Sequence, residues 1–124
     1  METLAIEIYE WCKANDLWFD ITMYFDGKAW SYNNNWDQYD SRVDAPKKID
    51  ENLYEYENRN PIDYFEYVRE PNIFSMSFEG PLYHVLNAYV PGWVKLEEEL
   101  QNIFKRYGLY YEMGHAWNLS AYEI

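Results

Sequence analysis

Between residues 50 and 66 the chain sets Asp50, Glu51, Glu55, Glu57, Asp63 and Glu66 against a single cation, Arg59. Just upstream, Asp37, Asp40 and Asp44 follow one another three and four residues apart. Carboxylates grouped this way can hold a metal ion, act as an acid–base pair, or present negative charge to a basic surface. A calcium loop alternates Asp and Asn ligands around a central Gly and closes on a bidentate Glu, and the 37–44 run lacks that pattern. Acid–base hydrolysis needs two carboxylates opposed across a cleft, one with its pKa raised by burial, which spacing alone does not supply. The third use needs only regular placement. Leu53-Tyr54-Glu55-Tyr56-Glu57 alternates and predicts a strand with one acidic and one aromatic face. Strand carboxylates two residues apart lie about 6.8 Å from each other, roughly twice the rise per phosphate along one nucleic-acid strand. A row of that kind fits a channel lined by Lys and Arg.

Other reactive side chains are few. Cys12 is the single cysteine and lies on the apolar stripe of a predicted helix, where a free thiol behaves as a small hydrophobe. His84 and His115 have no partner at metal-ligand spacing, too small a set for zinc. The five glycines occupy turn or cap positions, so no phosphate-cradling loop is formed. The sequence thus gives no reason to expect catalytic residues, a metal or a cofactor.

Net charge is −12, from 22 acids and 10 bases, in 124 residues that also hold 14 Tyr, 6 Trp and 6 Phe. Such acidity excludes a generic binder of nucleic acid or anionic membrane, both of which need a positive field. Most rings fit core faces by periodicity. Tyr24, Trp36, Tyr39, Tyr54, Tyr56, Tyr64 and Tyr67 do not, and they interleave with acids. Exposed rings among carboxylates suit a protein interface, with Trp36, Tyr54 and Tyr56 as candidate anchors. The same rings would suit a carbohydrate-binding module, and acidity by itself also serves solubility.

The elements that must position these groups follow from periodicity and punctuation. An amphipathic helix is predicted over 3–15, with Asn15 as its left-handed cap. A hairpin follows: Leu17 to Phe25 alternates, Asp26-Gly27 turns, and Met23 should pair with Trp30. Residues 33–48 read as a long loop. After the 53–57 strand, Asn60-Pro61 opens a short helix over about 61–67, and Ile73 to Glu79 forms a strand. A helix from Gly80-Pro81 turns Leu82, Val85, Leu86 and Tyr89 inward and stops at Pro91-Gly92. The next, from Trp93 to Tyr107, ends at Gly108. Leu109 to Met113, a Gly114-His115 turn and Ala116 to Tyr122 make a second hairpin. The expected fold is one α+β domain spanning 1–124. Its mostly antiparallel sheet is built from two hairpins plus further strands, with helices packed on one face.

A small acidic domain rich in Tyr and Trp, with its acids concentrated from Asp50-Glu51 to Glu66, resembles the inhibitors encoded by phages and mobile elements. Anti-CRISPR proteins and other nucleic-acid mimics share this profile. The likeness is one of composition along the whole chain, and no residue role is carried over from it. It implies a non-enzymatic inhibitor that blocks the nucleic-acid groove of a Cas-type nuclease or other defence protein, without touching nucleic acid or membrane itself. Immunity proteins that neutralise nuclease toxins share the size and acidity and form the alternative. The partner-binding set is then Asp37, Asp40, Asp44, Asp50, Glu51, Glu55, Glu57, Asp63 and Glu66, with Trp36, Tyr54 and Tyr56. One cysteine, an acidic N-terminus and no long apolar run lead to the expectation of a reducing, cytoplasmic setting (that of a bacterial host, for a phage protein).

Overall fold

The computed structural model describes residues 1–34, 46–65, 68 and 74–124. Helix α1 (Glu2–Ala14) leads into β1 (Ile21–Phe25) and β2 (Lys28–Ser31); β3 (Lys47–Asp50) and β4 (Leu53–Glu57) follow, then a short 3-10 turn at Pro61–Asp63. After β5 (Phe74–Phe78) come α2 (Pro81–Leu86) and α3 (Trp93–Arg106), and the chain closes with β6 (Leu109–His115) and β7 (Asn118–Glu123). Among the described residues the strands form one seven-stranded sheet in the order β3-β4-β2-β1-β5-β7-β6. Every neighbouring pair is antiparallel. The fold is α+β, as the sequence predicts.

The first hairpin forms as its turn chemistry dictates. Asp26 and Gly27 both take positive φ, 51° and 76°, the pair of left-handed conformations a two-residue turn needs to match strand twist. Met23 pairs with Trp30. The strand begins only at Ile21, however, because Asp20 sits at φ 59° and breaks the alternation that Leu17 and Phe19 start.

One face of the sheet carries the helices. Leu4, Ile8 and Cys12 of α1, Leu82 and Val85 of α2 and Leu100, Ile103 and Phe104 of α3 pack on Ile21, Met23, Phe25, Trp30, Phe74, Met76 and Phe78. Pleating sends the intervening residues to the opposite face. There Tyr24, Ala29 and Tyr56 form a second buried cluster with Phe65 and Val68. Small hydroxyls on that face bond in pairs, Thr22 with Ser31 at 2.8 Å and Ser75 with Ser120 at 2.7 Å.

Several boundaries differ from expectation for local reasons. Lys47 and Lys48 belong to an edge strand rather than a loop. The cap of α1 is not left-handed at Asn15 but one residue later, at Asp16 (φ 55°). Helix α2 ends at Leu86, which leaves Tyr89 67% exposed instead of inward. The last turn falls at Ala116-Trp117, with a bulge between Met113 and His115, so Gly114-His115 stays in the strand. Only Pro61–Asp63 of the 61–67 helix is helical among the described residues, and there as a 3-10 turn.

Candidate binding face around Asp50

Asp50 and Glu51 sit at the tight turn between β3 and β4, with Asn52 at φ 56°. Two aromatic side chains from other elements pin this turn. The Tyr9 hydroxyl lies 3.2 Å from both Asp50 Oδ2 and the Glu51 carbonyl. Trp18 donates its indole N–H to the Asn52 carbonyl at 2.6 Å. The two rings meet edge to face, 4.9 Å between centroids. The edge of the sheet is thereby tied to the C-terminal end of α1.

That end supplies further acid. Helix α1 closes in a Schellman arrangement, with Leu17 N–H to Cys12 O at 2.7 Å and Asp16 N–H to Lys13 O at 3.3 Å. Asp16 takes the left-handed position, which Asp tolerates better than most residues. Lys13 reaches back to Asp50 at 3.5 Å. The Glu51 backbone N–H (2.8 Å), the Tyr9 hydroxyl and the Lys13 ammonium together hold the Asp50 carboxyl below its ordinary value.

Two grooves meet at Asp50. One, of about 440 Å³, is lined by the aromatic side chains of Trp18, Phe19 and Tyr32 and by Asp16, Asp50 and Glu51. The other, of about 510 Å³, is lined by residues of α1, β2, β3 and β4, among them the apolar Ile6, Ile49 and Leu53 and the acids Glu2, Glu10, Asp50 and Glu55. Their cations are Lys13 in the first and Lys28 and Lys47 in the second.

Of the residues expected to bind a partner, the structure brings Asp50, Glu51 and Glu55 to these grooves. Glu55 is half-buried and engaged: it accepts from Trp30 Nε1 at 3.0 Å and pairs with Lys28 at 3.1 Å. The Trp30 hydrogen bond lowers its pKa, against the opposing effect of burial and with help from Lys28. Glu57 is exposed at the other end of β4, and Asp63 lies in the 3-10 turn. The phosphate-like row of Glu55 and Glu57 is thus broken, because one member serves the fold. Tyr56 is not an exposed anchor: it is 2% exposed and donates its hydroxyl to the Asn33 carbonyl at 2.7 Å. Tyr54 is half-buried against the second cluster, and Tyr24 is buried within it. Trp36, Asp37, Asp40, Asp44 and Glu66, like Tyr39 and Tyr67, lie outside the described residues.

Asp16, Phe19 and Tyr32 also line the first groove, and none of them is among the residues that the sequence marks for a partner. Alternation placed Phe19 on the buried side of a strand, whereas it is 51% exposed. The signal that could have found it is Asp20, a residue suited to left-handed backbone and poor in strands. Asp50 and Glu55 both shift toward keeping their charge, the opposite of what a general acid needs. Among the described residues no group of three or more His, Cys, Asp or Glu is placed to hold a metal ion. No described helix is long and apolar enough to cross a membrane. Comparison with protein families, with curated proteins and with solved structures finds no match to this chain.

Proposed function

We propose that this protein is a non-enzymatic inhibitor whose acidic, aromatic face occupies a basic, nucleic-acid-binding surface on a partner protein, a Cas-type nuclease or other defence protein. The observation that carries this reading is the junction at Asp50. Carboxylates from α1, from Asp16 just beyond it and from the β3–β4 turn line, together with aromatic and aliphatic side chains, two grooves that share Asp50. Fixed carboxylates steer and orient a basic partner, and the rings supply desolvated contact area. Net charge of −12 adds a long-range field of the same sign. The Asp50 carboxylate is already ordered by its neighbours, so little entropy is lost when it meets a guanidinium.

The test is inhibition of cleavage. The purified chain is titrated into a panel of RNA-guided nucleases and nuclease toxins, at low and high salt, with excess nucleic acid as competitor. Inhibition that weakens with salt and is relieved by the competitor is the expected result. Absence of inhibition at low salt across the panel, or inhibition indifferent to competitor, overturns the reading. Inhibition confined to a toxin moves the role to immunity, with the same face engaged.

A further inference from the structure

Resting on the reading of this face as the one that meets a basic partner, we infer that the Phe19–Tyr32 groove is a seat for one arginine side chain of that partner. Three features converge on a cation. The first is an aromatic surface held open. Phe19 is 51% exposed, and its ring lies 4.9 Å from that of Tyr32, tilted by 59°. Gly80 packs closely against Phe19: an added Cβ there would fall 2.5 Å from the Phe19 carbonyl oxygen and 3.1 Å from its ring. The second is a set of carboxylate acceptors, Asp16, Asp50 and Glu51, lining the same groove of about 440 Å³. The third is an internal counterpart of the proposed contact. Lys13 stands 4.6 Å from the centre of the Tyr9 ring while pairing with Asp50 at 3.5 Å. Ring and carboxylate already act together on a cation at this corner of the molecule.

Arginine fits better than lysine. Its guanidinium is flat, stacks on aromatic faces, can engage a carboxylate through two parallel hydrogen bonds, and is less strongly hydrated than an ammonium. The aliphatic stem would lie on Phe19 and Tyr32 while the head reaches Glu51 and Asp16. Lys13 is then a competitor at the rim, and its removal should favour the incoming residue.

The experiment uses the full chain with capped hexa-arginine and hexalysine peptides of equal charge, followed by titration and by aromatic proton shifts. Hexa-arginine should bind roughly two- to fivefold more tightly than hexalysine, the size of one exposed cation–π contact, because the less hydrated guanidinium stacks on the ring where the ammonium keeps its water. Resonances of Phe19 and Tyr32 should move with it. Phe19→Leu should erase the preference while leaving the charge-driven part. Asp16→Asn with Glu51→Gln, two exposed changes that keep the backbone conformations, should weaken both peptides, and Lys13→Gln should strengthen both. Equal affinity for the two peptides, or shifts confined to other acidic regions, overturns the seat. A seated arginine with no nuclease inhibited overturns the inhibitor role alone. Inhibition that persists unchanged in Phe19→Leu overturns the seat alone.

Discussion

Trp30 and Glu55 stand directly opposite each other on β2 and β4, and the indole N–H of the first donates to the carboxylate of the second at 3.0 Å. The bond turns an acid that alternation would place in solvent into part of the fold. Lys28 completes the arrangement, 3.1 Å from Glu55 and 3.2 Å from Glu2, joining the hairpin to the start of α1. Glu55 and Glu57 therefore have different roles despite sharing a strand face.

Replacing Glu55 by Ala leaves the Trp30 N–H and the Lys28 ammonium without their shared acceptor. A loss of about 1–3 kcal/mol is expected, read from urea denaturation. Glu57→Ala should stay within about 0.5 kcal/mol, as for an exposed residue away from special features. Equal effects at the two positions would mean that the Trp30 bond contributes nothing to stability.

The same carboxylate makes stability depend on pH in one direction. Its folded pKa is depressed, chiefly by the Trp30 bond, as that of Asp50 is by the Glu51 N–H. The stability each contributes is fully present above the unfolded value, about 4 for Asp and Glu. It is lost as pH falls through the lower, folded value. The acid side of the stability profile should be shallower in Glu55→Gln. Superimposable profiles between pH 5 and 2 would remove Glu55 from this account.

Helices α1, α2 and α3 are each followed by a left-handed residue: Asp16, Ala88 and Gly108. Glycine carries no Cβ penalty there and Asp is tolerated, but Ala88 at φ 63° has neither advantage. It is held by a Schellman pair, Tyr89 N–H to His84 O at 2.8 Å and Ala88 N–H to Val85 O at 3.2 Å. Ala88→Gly should stabilise the protein by about 0.5–1 kcal/mol, raising Tm by roughly 2–5 °C for a domain of this size. A lower Tm would show that the left-handed conformation is not adopted in solution.

Gly80 faces the opposite constraint, one of space. Its missing Cβ would lie 2.5 Å from the carbonyl oxygen of Phe19 and 3.1 Å from the ring. Backbone cannot yield as a flexible side chain does, so Gly80→Ala should destabilise by about 1–3 kcal/mol. It should also displace the Phe19 and Tyr32 ring resonances. An unshifted spectrum with an unchanged Tm would place Phe19 elsewhere.

Cys12 is fully buried in the helix-side core, and burial pushes its thiol pKa well up. An aromatic disulfide reagent should react only with molecules that have unfolded, so labelling should track the urea transition. Rapid labelling of the native protein would show that α1 opens locally.

Much of the fold was legible because local chemistry and periodicity agreed. Asp26-Gly27 specified its turn, Met23 and Trp30 their register, and the 93–106 periodicity its helix. The helix-side positions of Phe74, Met76 and Phe78 followed from strict alternation. The sequence by itself also set the charge, the aromatic content and the α+β class, since these depend on residue type and short-range spacing. Tertiary structure alone decided which acids remain free and which rings are exposed. Glu55 is engaged because β2 places Trp30 and Lys28 beside it, 25 or more residues away in sequence. Tyr56 is buried because Phe65 and Val68 return across the second face, and Asp50 lines one groove with Asp16 because Tyr9 and Trp18 clamp the β3–β4 turn. Alternation assigns a side chain to a face, but what covers that face is fixed only by contacts distant in the chain.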